Sequence, residues 1–261
     1  MPDISVVINC DTRPERSNEN GLSKGVVSRD FLTDGVFNKI KFFSGFDIEV
    51  ILFIDKIEEI PQQTLEYIHI LCDVVVVRKH TDEPLFNDMN YISAMGLARG
   101  KYIAKFDQDT ACFTSSKEPI EKMMEWLETY DYVSYPSWWS PNPVSDESFD
   151  HWWSSTRFFM CKRETIDFTE LRWMMQDYDR CYKKYPANRK CFWTEHWLGM
   201  LAKYKGKGVF YPPINIENYT IFSWGSYEQY TLRRLNELPY SEVVNFIKSK
   251  GGIQYPVDIF C

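Results

Sequence analysis

Four short apolar runs in the first half of the chain constrain its fold more than any other feature. They are rich in β-branched residues and bounded by polar ones: Ile4–Asn9, Glu49–Ile54, Asp73–Arg78 and Lys101–Phe106. Continuous runs of this kind are typical of strands buried on both faces, as in parallel sheets. Helical patterns over Phe31–Phe43 and Leu85–Arg99 lie between them. The alternation predicts an α/β fold with a mostly parallel, doubly wound sheet, whose ligands bind outside the carboxyl ends of the strands.

The second half of the chain is less regular. Its patterns predict helices over Pro119–Tyr130, Glu195–Tyr204, Tyr227–Glu237 and Ser241–Lys250, and strands over Tyr132–Tyr135 and Arg157–Lys162. The stretch Pro136–Trp153 is rich in Pro, Ser, Asp and Trp and predicts a long loop. Because no repeat and no linker is evident, we expect a single domain over residues 1–261, with residues 1–112 and 113–261 as its two halves.

Composition excludes several classes of protein. An apolar fraction of 44% allows a sizeable core, and a net charge of −7 without a basic tract gives no support for nucleic-acid binding. A local basic groove stays open. Seven cysteines with irregular spacing and no Cys-x-x-Cys pair argue against a disulfide framework or a zinc site. The sequence shows no signal peptide and no apolar run near the roughly 20 residues of a transmembrane segment, so we expect a cytoplasmic protein.

The segment Lys101-Tyr-Ile-Ala-Lys-Phe-Asp107-Gln108-Asp109 carries most of the functional signal. A predicted buried strand runs directly into two carboxylates one residue apart, at the end of the strand where ligands bind. Hard divalent cations such as Mg²⁺ and Mn²⁺ take oxygen ligands, typically one or two protein carboxylates and substrate phosphates. Asp107 and Asp109 are therefore candidate metal ligands. The alternative is an ordinary acidic surface turn.

At these residues the chain resembles the GT-A fold glycosyltransferases, in particular the family-2, inverting enzymes with a DxD motif. The resemblance covers residues 4–112 and is carried by the opening strand, by the strand ending at Asp55, and above all by Asn90–Asp109. Two segments depart from the family pattern: Asn9–Arg13 lacks the usual proline-threonine-tyrosine-asparagine series, and Asp55 is followed by Lys56 instead of a second aspartate.

The resemblance implies a metal-dependent transferase with Mn²⁺ or Mg²⁺ and a nucleotide-sugar donor, with a UDP-sugar favoured. Residues 1–112 would then form the nucleotide-sugar-binding half and residues 113–261 the acceptor-side half. The implied donor contacts are Asp11, Arg13, Asp55, Arg78 and Asp107. Turn capping by Asp11, loop hydrogen bonds of Asp55 and a solvated Arg13 are the competing interpretations.

The motif Phe192-Trp193-Thr194-Glu195-His196-Trp197 supplies a candidate catalytic base. An inverting transfer needs a carboxylate within hydrogen-bond reach of the acceptor hydroxyl, and the resemblance places an acidic residue at a helix start in this region. Glu195 fits that role, although an acidic residue is also electrostatically favoured in a first helical turn. Trp193 and Trp197 are candidates for stacking on the acceptor sugar. His196 is a candidate acceptor contact, with metal ligand and core histidine as alternatives.

Three classes of function stay open at this point. The first is a glycosyltransferase whose acceptor is a glycan, a glycoconjugate or a modified base in phage DNA. The second is a nucleotidyltransferase, although residues Asn9–Arg16 contain no glycine-rich loop. The third is a non-catalytic sugar-binding module on a transferase scaffold.

Overall fold

The computed structural model describes residues 1–10, 31–54, 60–77, 92–107, 110–134, 158–185, 194–210, 219–223 and 229–249. The strands are β1 (Ile4–Cys10), β2 (Ile48–Ile54), β3 (Val74–Val77), β4 (Tyr102–Asp107), β5 (Thr110–Thr114), β6 (Tyr132–Ser134), β7 (Phe158–Lys162), β8 (Val209–Phe210) and β9 (Tyr219–Ser223). The helices are α1 (Phe31–Phe42), α2 (Gln62–Leu71), α3 (described over 92–96), α4 (Glu118–Thr129), α5 (Phe168–Gln176), α6 (Tyr178–Lys184), α7 (Thr194–Lys205), α8 (Gln229–Glu237) and α9 (Tyr240–Ser249).

A seven-stranded sheet in the order β3-β2-β1-β4-β7-β6-β8 forms the centre of the fold. The first four strands in that order pair in parallel, β7 pairs antiparallel with both β4 and β6, and β8 is parallel to β6. Among the described strands of this sheet, six therefore point the same way and β7 opposes them. The predicted α/β class with a mostly parallel sheet is confirmed.

Helices cover both faces of this sheet. Along β1, Val6 and Ile8 pack into a cluster with α1, α2 and α4, whereas Val7 packs into a second cluster with α3, α5, α6 and α7. The alternation follows from the pleat, which directs successive side chains to opposite faces. All seven residues of β1 are buried, as the apolar run predicted.

At the amino edge of the sheet, one buried carboxylate ties three segments together. Glu49 in β2 accepts hydrogen bonds from the hydroxyl of Ser5 in β1, from the backbone N–H and Nε of Arg99, and from the N–H of Gly100. Burial alone would raise the pKa of Glu49, but these donors outweigh it and hold the pKa below its ordinary value. The cluster fixes the entry of the chain into β4.

A second, two-stranded sheet pairs β5 with β9 in antiparallel register. Its apolar residues Ala111 and Phe113 pack with α8 and α9 in a third cluster. Polar contacts attach α8 to α1: the Asn38 amide donates to Oδ1 of Asn236 over 2.8 Å, and Arg233 pairs with Asp34 at 3.1 Å. The region that follows the acidic turn is thereby held against the first helix.

The strands predicted in the first half are confirmed to within one residue at each end. The helix predicted over Leu85–Arg99 is described only over residues 92–96 and gives way to a turn at Leu97. The elements α2, β5, α5, α6, β8 and β9 were not predicted, because each is short and shows no strong apolar period. The predicted loop Pro136–Trp153 lies outside the described residues.

Candidate active site

The carboxyl ends of β1 and β4 meet at the centre of the sheet. From β1 the chain proceeds to β2 and β3 on one side, and β4 then pairs with β1 on the other side. The gap between the ends of β1 and β4 is therefore the point where the strand order reverses, which is where open α/β sheets bind ligands. Asp107 is the last residue of β4 and lies in register with Asn9 of β1.

Asp107 is held by a lysine from its own strand. The ammonium of Lys105 contacts Oδ1 of Asp107, and the two side chains are 1% and 22% exposed. They share one face of the sheet because they are two residues apart in a strand. A buried ammonium needs an anionic or polar partner to offset its lost hydration, and Asp107 supplies one. The partial exposure of Asp107 leaves it accessible from the edge.

Asn9 contributes a second polar group to this edge. Its residue is 2% exposed, and neither the nitrogen nor the oxygen of its amide has a hydrogen-bond partner among the described residues. A buried amide without partners costs about 1–3 kcal/mol for each such group. The amide of Asn9 is thus a polar group beside Asp107 that can bond to a ligand or water at this edge.

Helix α7 returns to the same edge. It is followed by β8 after a tight turn at residues 206–208, and β8 runs in the direction of β4. Asp131, directly before β6 at the amino edge, accepts a hydrogen bond from the N–H of Gly208 at 2.9 Å, which fixes the far end of α7 there. The first turn of α7, with Thr194 and Glu195, therefore points to the carboxyl edge. The side chain of Glu195 lies outside the described residues.

The structure corrects the expectation that Trp197 stacks on an acceptor sugar, and it favours one of the three alternatives for His196. Trp197 is completely buried in the cluster beneath the second face of the sheet, together with Leu198 and Met200. A ring with no exposed area cannot stack on an acceptor sugar, so Trp197 is a core residue. His196 is 5% exposed, and its ring centroid lies 6.1 Å from that of Tyr182, which agrees with the core alternative over the acceptor contact.

The remaining predicted site residues lie outside the described residues: Asp11, Arg13, Asp55, Arg78, Asp109 and Trp193. In the sequence, Asp11, Asp55 and Arg78 directly follow the last residues of β1, β2 and β3. Asn9 and Lys105 were not singled out from the sequence. The available signal was a lysine inside an apolar strand, two residues before a candidate ligand.

Within the described residues there is no group of three or more His, Cys, Asp or Glu side chains that could hold a metal ion. The described part of this edge offers the carboxylate of Asp107 and the amide oxygen of Asn9. That donor set is all oxygen and small, which fits a hard cation that takes most of its ligands from phosphates and water. No described helix is long and apolar enough to cross a bilayer.

No protein-family model matches the sequence, and no curated protein matches it. Solved structures match in fold. The apo-form glycosyltransferase GlyE of Streptococcus pneumoniae TIGR4 has a TM-score of 0.51 at 11% identity, over 95% of this chain and 63% of its own. A cytidylyltransferase from Leptospira borgpetersenii serovar Hardjo-bovis has a TM-score of 0.50 at 13% identity, over 100% of this chain and 97% of its own.

A third structure is the mannosyltransferase PcManGT from Pyrobaculum calidifontis in complex with GDP-Man and Mn²⁺, with a TM-score of 0.44 at 14% identity over 81% of this chain. This chain spans 55% of the length of PcManGT and 63% of that of GlyE. At such identities the likeness shows the fold alone, which is the GT-A fold of glycosyltransferases.

Proposed function

We propose that this protein is a glycosyltransferase that moves a sugar from a nucleoside-diphosphate sugar to an acceptor hydroxyl, with Mn²⁺ or Mg²⁺ as cofactor. The observation that carries the proposal is the position of Asp107. It ends β4 at the reversal point of a GT-A sheet, beside the buried amide of Asn9, which has no hydrogen-bond partner within the described part of the chain. A UDP-sugar is the donor that the sequence resemblance favours.

In this proposal Asp107 and Asp109 hold the ion. When bound, the ion supplies positive charge to the departing diphosphate. Asp11, Arg13, Asp55 and Arg78 are the proposed donor contacts. Their places directly after the parallel strands, or shortly after β1 for Arg13, support this assignment, because the carboxyl ends of such strands meet at one edge.

Glu195 is the proposed base, and inversion at the anomeric carbon is the proposed stereochemical course. Two considerations support it: the far end of α7 is fixed at the amino edge, which directs its first turn towards the carboxyl edge, and the helix N-terminus favours the ionised carboxylate that a base needs. The acceptor is proposed as a glycan, a glycoconjugate or a modified base in phage DNA. Trp193 remains the aromatic candidate for contact with that acceptor.

The metal assignment is tested by thermal unfolding with UDP and Mn²⁺ added singly and together. For the wild type and for Asp179→Asn, we expect UDP and Mn²⁺ together to raise Tm by more than the sum of the rises that each produces alone. For Asp107→Asn, we expect no such additional rise. Asp179 is a matched control, because Asp177 and Asp179 form a second Asp-x-Asp series that the structure places, exposed, at the start of α6. An equal response of Asp107→Asn and wild type would remove Asp107 from the site.

The catalytic assignment is tested with a panel of nucleotide sugars, with release of the nucleoside diphosphate as the readout. We expect Glu195→Gln to abolish transfer while the Tm response to UDP and Mn²⁺ persists. A non-catalytic module would show no release with any donor. Undiminished transfer by Glu195→Gln would exclude Glu195 as the base.

A nucleotidyltransferase is the second candidate, favoured by the match to a cytidylyltransferase over nearly the whole length of both chains. The products distinguish the two. A nucleotidyltransferase joins a nucleoside triphosphate to a sugar phosphate and releases inorganic diphosphate. A glycosyltransferase releases a nucleoside diphosphate from a nucleotide sugar. Incubation with each substrate class, followed by phosphate-product analysis, separates them.

A further inference from the structure

The pair formed by Lys105 and Asp107 is unusual for a metal site. Lys105 lies between Val7 of β1 and Phe159 of β7 in the sheet register and is 1% exposed. An ammonium in such surroundings is costly to bury and persists only with a close partner. The ammonium of Lys105 contacts Oδ1 of Asp107, the residue proposed to hold the cation.

This contact restricts how Asp107 can bind an ion. A carboxylate ligates a cation through one oxygen or through both. An ion that used both oxygens of Asp107 would have to displace the Lys105 ammonium from Oδ1, whereas an ion that used one oxygen would not. The ammonium also places a positive charge next to the cation, which opposes its binding.

The two coordination modes suit different ions. Ca²⁺ accepts 6–8 oxygens in flexible geometry and commonly takes bidentate carboxylates, whereas Mg²⁺ demands near-octahedral coordination by single oxygens. A carboxylate that is limited to one oxygen therefore disfavours Ca²⁺ more than Mg²⁺.

We propose that Lys105 is a positioning residue that sets the cation preference of this site by keeping Asp107 monodentate and by lowering its net charge. This inference rests on the proposed metal-dependent binding of a nucleoside diphosphate. It assigns to Lys105 a role that acts through its contact with Asp107.

The test is calorimetric titration of UDP into the protein in Mg²⁺, in Ca²⁺ and in EDTA. The quantity compared is the gain in UDP affinity that each ion produces over EDTA. In Lys105→Met, which keeps the length of the apolar stem and removes the ammonium, we expect the Ca²⁺ gain to rise about tenfold relative to the Mg²⁺ gain.

Two further variants separate charge from hydrogen bonding. Lys105→Gln retains an N–H donor for Oδ1 without the charge, so both gains should rise by the same factor. Lys162→Met is the matched control. Lys162 pairs with Glu128 at 2.7 Å and lies in register with Tyr102 at the amino edge of the same sheet. Its replacement by methionine therefore removes the same charge far from Asp107. Its two gains should equal those of the wild type.

An unchanged ratio of the two gains in Lys105→Met would overturn the inference while leaving the proposed function intact. If Lys105→Met does not fold, Lys105→Gln decides: the absence of a rise in both gains refutes the charge effect. If the wild type shows no gain with either ion, the proposed metal dependence fails first, and the role of Lys105 with it.

Discussion

Gly100→Ala is expected to destabilise the protein strongly, because its new methyl group would meet backbone. An added Cβ would lie 2.6 Å from the backbone nitrogen of Ser5 and 2.8 Å from the carbonyl carbon of Ile4. Both atoms belong to β1, which is fixed by hydrogen bonds to β2 and β4 on its two sides. The neighbouring strand therefore cannot move aside without breaking sheet pairing.

The magnitude follows from two effects. Overpacking against a fixed neighbour costs about 1–3 kcal/mol. Displacement of Gly100 also weakens its N–H bonds to Ser5 Oγ at 2.7 Å and to the buried carboxylate of Glu49 at 3.1 Å. Bonds to a charged acceptor contribute about 1.5–3 kcal/mol. The lower entropy of the unfolded alanine chain offsets about 0.4–1 kcal/mol. The net loss is about 3 kcal/mol.

Gly96→Ala is the matched control, since it makes the same chemical change four residues earlier. Gly96 lies in α3, and the nearest atom to an added Cβ is Cε1 of Phe168 at 3.9 Å, an ordinary contact. Alanine is favoured over glycine in a helix by about 1 kcal/mol, so this variant should be stabilised by up to that amount.

Urea unfolding followed by circular dichroism measures both variants, and thermal unfolding should show a fall of about 6–12 °C in Tm for Gly100→Ala, at about 2–4 °C per kcal/mol. The reasoning is refuted if Gly100→Ala lies within about 0.5 kcal/mol of the wild type, the ordinary range of surface substitutions. It is also refuted if the two variants change stability in the same direction.

Three further predictions concern single side chains. Burial opposes ionisation of Glu170, but hydrogen bonds from Lys184 and Tyr185 and the charge of Lys205 lower its pKa to about 2. The ionised form therefore stabilises the fold above the unfolded pKa near 4.5, and this stability is lost as pH falls towards 2. Glu170→Gln should lower the free energy of unfolding by about 2 kcal/mol at pH 7. In urea unfolding between pH 3 and 7, the variant should also show a smaller loss of stability with falling pH than the wild type. Glu49→Gln should cost about 2 kcal/mol by unpairing buried donors, while UDP affinity measured by calorimetry stays at the wild-type value. Trp197→Ala should lower the free energy of unfolding by about 3–5 kcal/mol in the same assay, because it leaves a cavity in the core. A raised KM for the acceptor without loss of stability would instead support an acceptor contact by Trp197.

The parallel strands could be predicted because their physical signal is local. A run such as Ile4–Cys10 is buried on both faces, so all of its residues except Asn9 are apolar or small, and no distant contact is needed to recognise it. The order of those strands comes from the structure, because crossover connections between parallel strands allow more than one order. The position of Asp107 at the reversal point is a consequence of that order.

The orientation of side chains in the second half could not be predicted in the same way. Residues 196–202 of α7 are all buried, since the helix is enclosed between the sheet and helices α5 and α6. Without a polar face the sequence gives no clue to which tryptophan faces a ligand, and the aromatic pair around Glu195 suggested an acceptor surface. Burial of Lys105 also depends on a tertiary arrangement that composition does not encode, because strands β1 and β7 flank it in the sheet.

Glu49 and Asp107 lie at opposite ends of the same sheet face, and this separation has a consequence for how such a chain can diverge. The carboxylate at the amino edge anchors the framework through bonds that any relative must preserve or replace. Its described hydrogen bonds all lie at the amino edge, away from Asp107. Exchange of residues after β1, β2 and β3 would therefore leave the Glu49 cluster intact, so the proposed donor site can change while this part of the framework is kept.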